Sequence, residues 1–123
     1  MSASVNADLL ARTTEYALSV IGLYSTLPRD TVSQVLGRQF LRSGTSAGAQ
    51  YREGRRAKSL ADFISKSEGA LQELEETAYW LELVTKSGRG QATAVTALAH
   101  ETDELIAIFV KLVKTAKETK AKN

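Results

Sequence analysis

The chain has 123 residues, 43% hydrophobic and 24% charged, with one proline, no cysteine and a formal net charge of +2. That balance is ordinary for a globular protein and excludes wholesale disorder, a disulfide framework and any cysteine-based metal site. The size suits one core rather than two, so a single domain over residues 1–123 is expected. The longest uncharged stretch, Tyr16 to Pro28, is thirteen residues, too short to cross a bilayer as a helix. Met1 to Asn6 has neither the basic start nor the apolar run of a signal peptide. A cytoplasmic chain with no membrane partner is the expectation.

The first helix is predicted from about Asp8 to Leu27. Leu9, Thr13, Tyr16, Val20, Leu23 and Leu27 recur at three- and four-residue steps and share one face. Pro28 ends it, and Asp30 is placed to cap the second helix. That second window runs from about Thr31 to Ala57, with Val32, Val35, Leu36, Phe40, Ser43, Ala47, Gln50 and Gly54 tracing a face. Its centre, Ser43 to Ala49, is poor in helix propensity. Either the helix breaks there, or the small residues, Gly44 and Gly48 among them, admit a close neighbour. The apolar phase persists across the stretch, which favours a continuous helix.

Ser59-Leu60-Ala61-Asp62 reads as a capping box with Asp in place of the usual Glu. It opens a third helix over about 60–87, whose core stripe is Leu60, Phe63, Ile64, Ser67, Ala70, Leu71, Leu74, Ala78 and Leu81. Ser87-Gly88-Arg89-Gly90 is a tight turn with glycine where a helix C-terminus wants it. The fourth helix is predicted over about 91–117, with Val95, Leu98, Thr102, Leu105, Ile106, Phe109, Leu112, Val113 and Ala116 inward and a fraying lysine-rich end. Four amphipathic helices on short links, with no strand between them, predict an all-α, up-down-up-down antiparallel four-helix bundle.

Charge is sorted by helix. Residues 29–60 carry +5 and residues 61–88 carry −4. Arg38, Arg42, Arg52 and Arg56 fall within about 40° of one line at 100° per residue, with Arg55 and Lys58 at its flank. Such a row can track a nucleic-acid backbone, since each guanidinium forks onto a phosphate. It can equally be a solvated face, or pair with carboxylates on a neighbouring helix. The third helix supplies candidates in Glu68, Glu75 and Glu82, one every seven residues. It also carries apolar bulk beyond its core stripe in Tyr79, Trp80, Leu83 and Val84. A helix greasy on several sides is buried on several sides, which points either to a subunit contact or to cover from loops and termini. Glu68, Glu75, Tyr79, Trp80, Glu82 and Leu83 are therefore the candidate oligomer interface. A head-to-tail assembly joining the basic stripe to the acidic one would use the same arginines that nucleic acid would need.

Nothing points to catalysis. His100 is the single histidine, and with Asp103 and Glu104 it offers too few ligands for a metal. There is no phosphate loop or nucleophile elbow, so no catalytic residue, metal, cofactor or small-molecule substrate is expected. Lys111, Lys114, Lys117, Lys120 and Lys122 form a weak polyanion patch or a solubilising end.

The segment from Phe40 to Gly54 resembles the second helix of the 23S ribosomal RNA intervening-sequence protein family. Arg42, Ser43, Ser46, Glu53 and Gly54 match its pattern, with Ala47 where Ile is usual and Gln50 where Asn is usual. Phe63 to Glu76 resembles a second family segment, with Ser67 replacing Ala. The resemblance spans about residues 8 to 118 and implies a four-helix bundle. Members are often encoded within insertions in large-subunit ribosomal RNA genes. The accessory protein of diversity-generating retroelements is a similar bundle, a pentamer whose basic surface is associated with nucleic acid and reverse transcriptase. By that resemblance the expectation is a homopentamer binding structured RNA or nucleoprotein through Arg38, Arg42, Arg52, Arg55, Arg56 and Lys58. The rival expectation is a protein-interaction scaffold that uses those arginines at subunit contacts and binds no nucleic acid.

Overall fold

Pro28 and the pair Gly88 and Gly90, both with φ near +70°, punctuate a chain that is otherwise almost continuously helical. The computed structural model describes the backbone of residues 3–122 and the side chains of residues 8–122. Four helices result: α1 Ala3–Ser25, α2 Thr31–Arg55, α3 Leu60–Lys86 and α4 Ala92–Lys122. Asp30 caps α2 by accepting from the Ser33 N–H, and Ser59 caps α3 by accepting from the Asp62 N–H.

Three boundaries differ from the sequence expectation. α1 starts before Asp8, since nothing between Ala3 and Asp8 stops a helix. α4 runs to Lys122 rather than fraying at Lys117, because its last turns are mostly Ala, Lys and Glu and put lysines at the negative pole. α2 stops at Arg55, where the Arg56 N–H donates to the Glu53 carbonyl and the Ala57 N–H to the Gly54 carbonyl. Arg56 and Lys58 therefore sit at the α2–α3 link instead of extending the helix.

Each helix packs antiparallel against its sequence neighbours, and α1 closes the square against α4 through its thinnest seam. α2 and α4 stand at opposite corners, as do α1 and α3. Leu74, Leu81, Leu105, Phe40, Phe109 and Tyr51 fill the middle, and the Tyr51 and Phe109 rings meet edge to face with centroids 5.4 Å apart.

The buried face of α2 is rotated from the predicted one. Val32 and Val35 are half exposed, while Ser33, Gly37, Gly44, Gly48 and Tyr51 are buried beside Phe40, Ser43, Ala47 and Gly54 of the expected face. The small residues admit α1. A Cβ on Gly44 would stand 2.7 Å from Val20 Cγ2, one on Gly37 would strike Leu27 and Tyr24, and one on Gly48 would reach 3.2 Å from Thr13. α2 stays unbroken because this close packing compensates for the weak helix propensity of its centre.

Hydroxyls cross the core in two buried pairs. Tyr16 Oη lies 2.7 Å from Thr102 Oγ1, joining α1 to α4, and Ser43 Oγ lies 2.7 Å from Thr77 Oγ1, joining α2 to α3. Thr102 and Thr77 also donate to the carbonyls of Leu98 and Glu73 one turn back. Burial pushes the Tyr16 phenol up from 10.0 to about 12. Below pH 10 the phenol is protonated in folded and unfolded chains alike, and its full contribution is present. Between pH 10 and 12 only the unfolded chain ionises, so stability is lost across that window. Tyr16→Phe is expected to cost about 1 kcal/mol near neutral pH. It should also remove this residue's part of the alkaline fall, as urea melts of both proteins from pH 8 to 12 would show.

Candidate nucleic-acid interface

The basic residues of α2 divide into paired and unpaired groups. Arg42 turns toward α3, with its Nη1 3.1 Å from Glu73 Oε2 and its Nη2 2.5 Å from Glu76 Oε2. The hydrogen bond it donates to Glu73 holds its guanidinium even more firmly protonated than usual. Arg52 reaches back to α1 and donates to Thr14 Oγ1 at 3.1 Å. Arg38, Arg55, Arg56 and Lys58 are exposed and have no carboxylate partner among the described residues. The even arginine row read from the sequence is thus interrupted. Its free charge gathers where α2 ends, with Arg38 standing apart.

On α3 the acidic repeat is mostly engaged within the chain. Glu68 pairs with Lys117 of α4 at 2.8 Å and Glu82 with Lys86 at 3.4 Å, while Glu75 is exposed and has no ion-pair partner among the described residues. Tyr79 is exposed and tilts against Trp80, with ring centroids 5.1 Å apart. Trp80 is half-buried against the core, its Nε1 without an acceptor, and Leu83 is half-buried. Val84 is a core residue. Helical register puts Trp80 on the side of α3 that faces α2, so the second helix covers much of it rather than a loop.

Other pairs are long-range contacts that no local pattern signals. Arg12 forks onto Glu101, with Nε 2.8 Å from Oε2 and Nη2 2.7 Å from Oε1, and adds Glu104 at 3.0 Å. Arg89, read from the sequence as a mere turn residue, pairs with Asp30 and donates to Ser33 Oγ at 3.0 Å, tying the α3–α4 turn to the start of α2. Hydrogen bonding from the Ser33 side chain and its capping N–H, with the Arg89 cation, holds the Asp30 carboxyl below its ordinary range. Lys66 pairs with Glu53 at 3.0 Å. His100 Nδ1 lies 3.1 Å from Glu104 Oε2 as a surface pair. Among the described residues no three His, Cys, Asp or Glu side chains converge on a possible metal position, and no helix is long and apolar enough to cross a membrane.

Exposed pairs of this kind contribute about 0–1 kcal/mol each. Their larger effect is on the surface potential. Along the flanks Arg12, Arg42, Lys86 and Arg89 sit beside carboxylates and their field is short-ranged, while Arg38 and Arg52 stand without one among the described residues. At Arg55, Arg56 and Lys58 no such partner is present, and the potential there extends into solvent.

The model of the family described as 23S rRNA-intervening sequence protein matches residues 6–111. The chain is also similar to a solved structure from Bacteroides thetaiotaomicron, a protein of unknown function from the S23 ribosomal protein family. The two share 33% identity over 89% of this chain and 97% of that one, with a TM-score of 0.82. No curated protein matches the chain.

Proposed function

The chain belongs to the 23S rRNA-intervening sequence protein family, and on that premise we propose that it is a non-enzymatic homo-oligomer, a homopentamer, that binds structured RNA or nucleoprotein through the basic surface of α2. The observation that carries this reading is the set of cations at the end of α2. Arg55, Arg56 and Lys58 lie exposed, close together in sequence and without carboxylate partners among the described residues, whereas Arg12, Arg42 and Arg89 are paired within the chain. Uncompensated cations close together repel one another, and phosphates relieve that repulsion while releasing counterions.

Two further observations support the assembly. Tyr79, Leu18, Ile21, Val35 and Val110 are large apolar side chains at least 44% exposed, which is surface that a second copy would cover. The rival scaffold reading needs a free acidic stripe on α3, yet Glu68 and Glu82 already have partners in their own chain. The subunit contact proposed for α3 therefore rests on Tyr79, Leu83 and Glu75 more than on a row of charges.

The test is fluorescence anisotropy of a labelled RNA stem-loop against salt, on protein whose mass has been fixed by light scattering. Binding is expected to weaken steeply with salt. Arg55→Glu combined with Arg56→Glu is expected to reduce the slope of log affinity against log salt by about 2, with the oligomer intact. An oligomer that falls apart in that variant would place the arginines at subunit contacts. No binding at low salt would end the RNA reading.

A further inference from the structure

The up-down topology brings the ends of α2 and α4 to the same end of the bundle. Gly54 packs on Phe63 and Lys66, Lys117 pairs with Glu68, and Leu60 and Phe63 share a groove with Ile108, Lys111, Leu112 and Thr115. Residues 54–66 and 108–119 are therefore level with one another at one end of the bundle. The lysine-rich tail, unremarkable as a sequence feature, stands beside the free cations that end α2.

The charge at this end is lopsided. Arg55, Arg56 and Lys58 lie on one side, and Lys111, Lys114, Lys120 and Lys122 on the other. All seven are exposed and none has a carboxylate partner among the described residues. The carboxylates nearby without ion-pair partners are Asp8, Asp62 and Glu118. Elsewhere the cations mostly sit in pairs: Arg12 with Glu101 and Glu104, Arg42 with Glu73 and Glu76, Arg89 with Asp30. Pairing over most of the flanks, against seven unpaired cations and three unpaired carboxylates among the described residues at one end, gives the bundle a positive pole.

We propose that this pole is a two-armed phosphate seat, with the lysines of α4 as the second arm, and that it takes folded RNA presenting two backbone segments at once. This deepens the RNA reading above and rests on it. α2 and α4 occupy opposite corners of the square, so their axes lie about 11–14 Å apart when neighbouring axes are about 8–10 Å apart. Long lysine and arginine side chains carry the charges further outward on both sides. A single extended strand lying on one arm leaves the other unneutralised, whereas a stem or junction offers phosphates to both. A groove of about 410 Å3 at this end, which Lys111 lines, is chiefly apolar and carries no carboxylate, whereas the hollow beside Lys114 holds Glu68, already paired with Lys117, and Glu118. The lysines beyond Lys111 lie past the region that the family model matches, so this arm belongs to the chain itself rather than to the shared pattern.

The experiment uses the full chain with two labelled probes, an RNA stem-loop and an unpaired oligouridine of equal length. The wild-type protein is expected to bind the stem-loop at least about tenfold more tightly. Lys114→Glu with Lys120→Glu should remove that preference and lower the stem-loop salt slope by about 2, leaving oligouridine binding through α2 little changed. Lys114→Gln with Lys120→Gln, a milder pair on the same exposed positions, should lower the slope by the same amount. Stem-loop binding unchanged in both α4 variants but lost in Arg55→Glu with Arg56→Glu overturns the second arm and leaves the α2 reading standing. Absence of RNA binding by the wild type overturns both. So does binding only to phosphatidylserine vesicles, which would make the pole a membrane contact.

Discussion

Phe109→Ala is expected to lower unfolding free energy by about 3–5 kcal/mol, the range for removing a large aromatic ring from a core that cannot collapse around the gap. Phe109 is fully buried on α4, and its ring meets the edge of Tyr51 on α2 across the diagonal of the bundle. That contact joins two helices whose backbones stand at opposite corners of the square. The loss therefore includes the aromatic pair, worth about 0.5–1.5 kcal/mol beyond the area it buries, as well as the cavity. Phe109→Leu keeps most of the volume and should recover a large part of the difference. Urea melts of the three proteins decide it. A loss below about 1 kcal/mol in the alanine variant would mean that the ring is not packed as described, since even partial collapse leaves more than that.

The second large effect runs against helix propensity. Gly44→Ala places a methyl 2.7 Å from Val20 Cγ2 and 3.0 Å from Val20 Cγ1. Val20 is fully buried and stiff about χ1, so it cannot swing aside. Overpacking of this kind costs about 1–3 kcal/mol, against the roughly 1 kcal/mol that alanine gains over glycine inside a helix. The net expectation is destabilisation of about 1–2 kcal/mol. Gly22→Ala is the control, since nothing lies within 4 Å of its Cβ position on the outer face of α1. It should stabilise the protein by about 0.5–1 kcal/mol. Opposite signs from one chemical change, measured by thermal and urea melts, would locate the α1–α2 contact at Gly44. Equal signs would contradict it.

The sequence was most readable where a single helix states its own pattern. Pro28, the caps at Asp30 and Ser59 and the stripes of α1, α3 and α4 all follow from local chemistry, and the four-helix order follows from them. α2 was harder, because its buried face is made of glycine and serine. Hydrophobic periodicity pointed to Val32 and Val35, which are half exposed, whereas Gly37, Gly44 and Gly48 are buried because α1 lies against them. A small residue signals closeness only once the neighbour is known.

The candidate site shows the same division. Helical phase put Arg42 in line with Arg38 and Arg52, yet phase says nothing of Glu73 and Glu76 across the α2–α3 seam. Arg89 and Arg12 each find partners 56 or more residues away. Lys114 and Arg56 are separated by most of two helices in sequence, and only the antiparallel return of α3 and α4 brings them to one end. Charge counted along the chain therefore misses where charge collects in space.

The thin seam between α1 and α4 bears on how the molecule assembles. Every other interface joins consecutive helices, so it can form by local zipping with little loop entropy to overcome. Arg12 with Glu101 and Tyr16 with Thr102 instead join residues 89 and 86 apart. The α2–α3 hairpin, the most extensively packed pair, is expected to form the nucleus and the seam to close last. Contacts that form after the transition state act on unfolding rather than folding rates. On that order the Arg12 clamp is expected to govern how long the closed square persists, and the hairpin how quickly it is reached. Amide exchange in α1 would report that opening as the lowest-energy excursion from the native state.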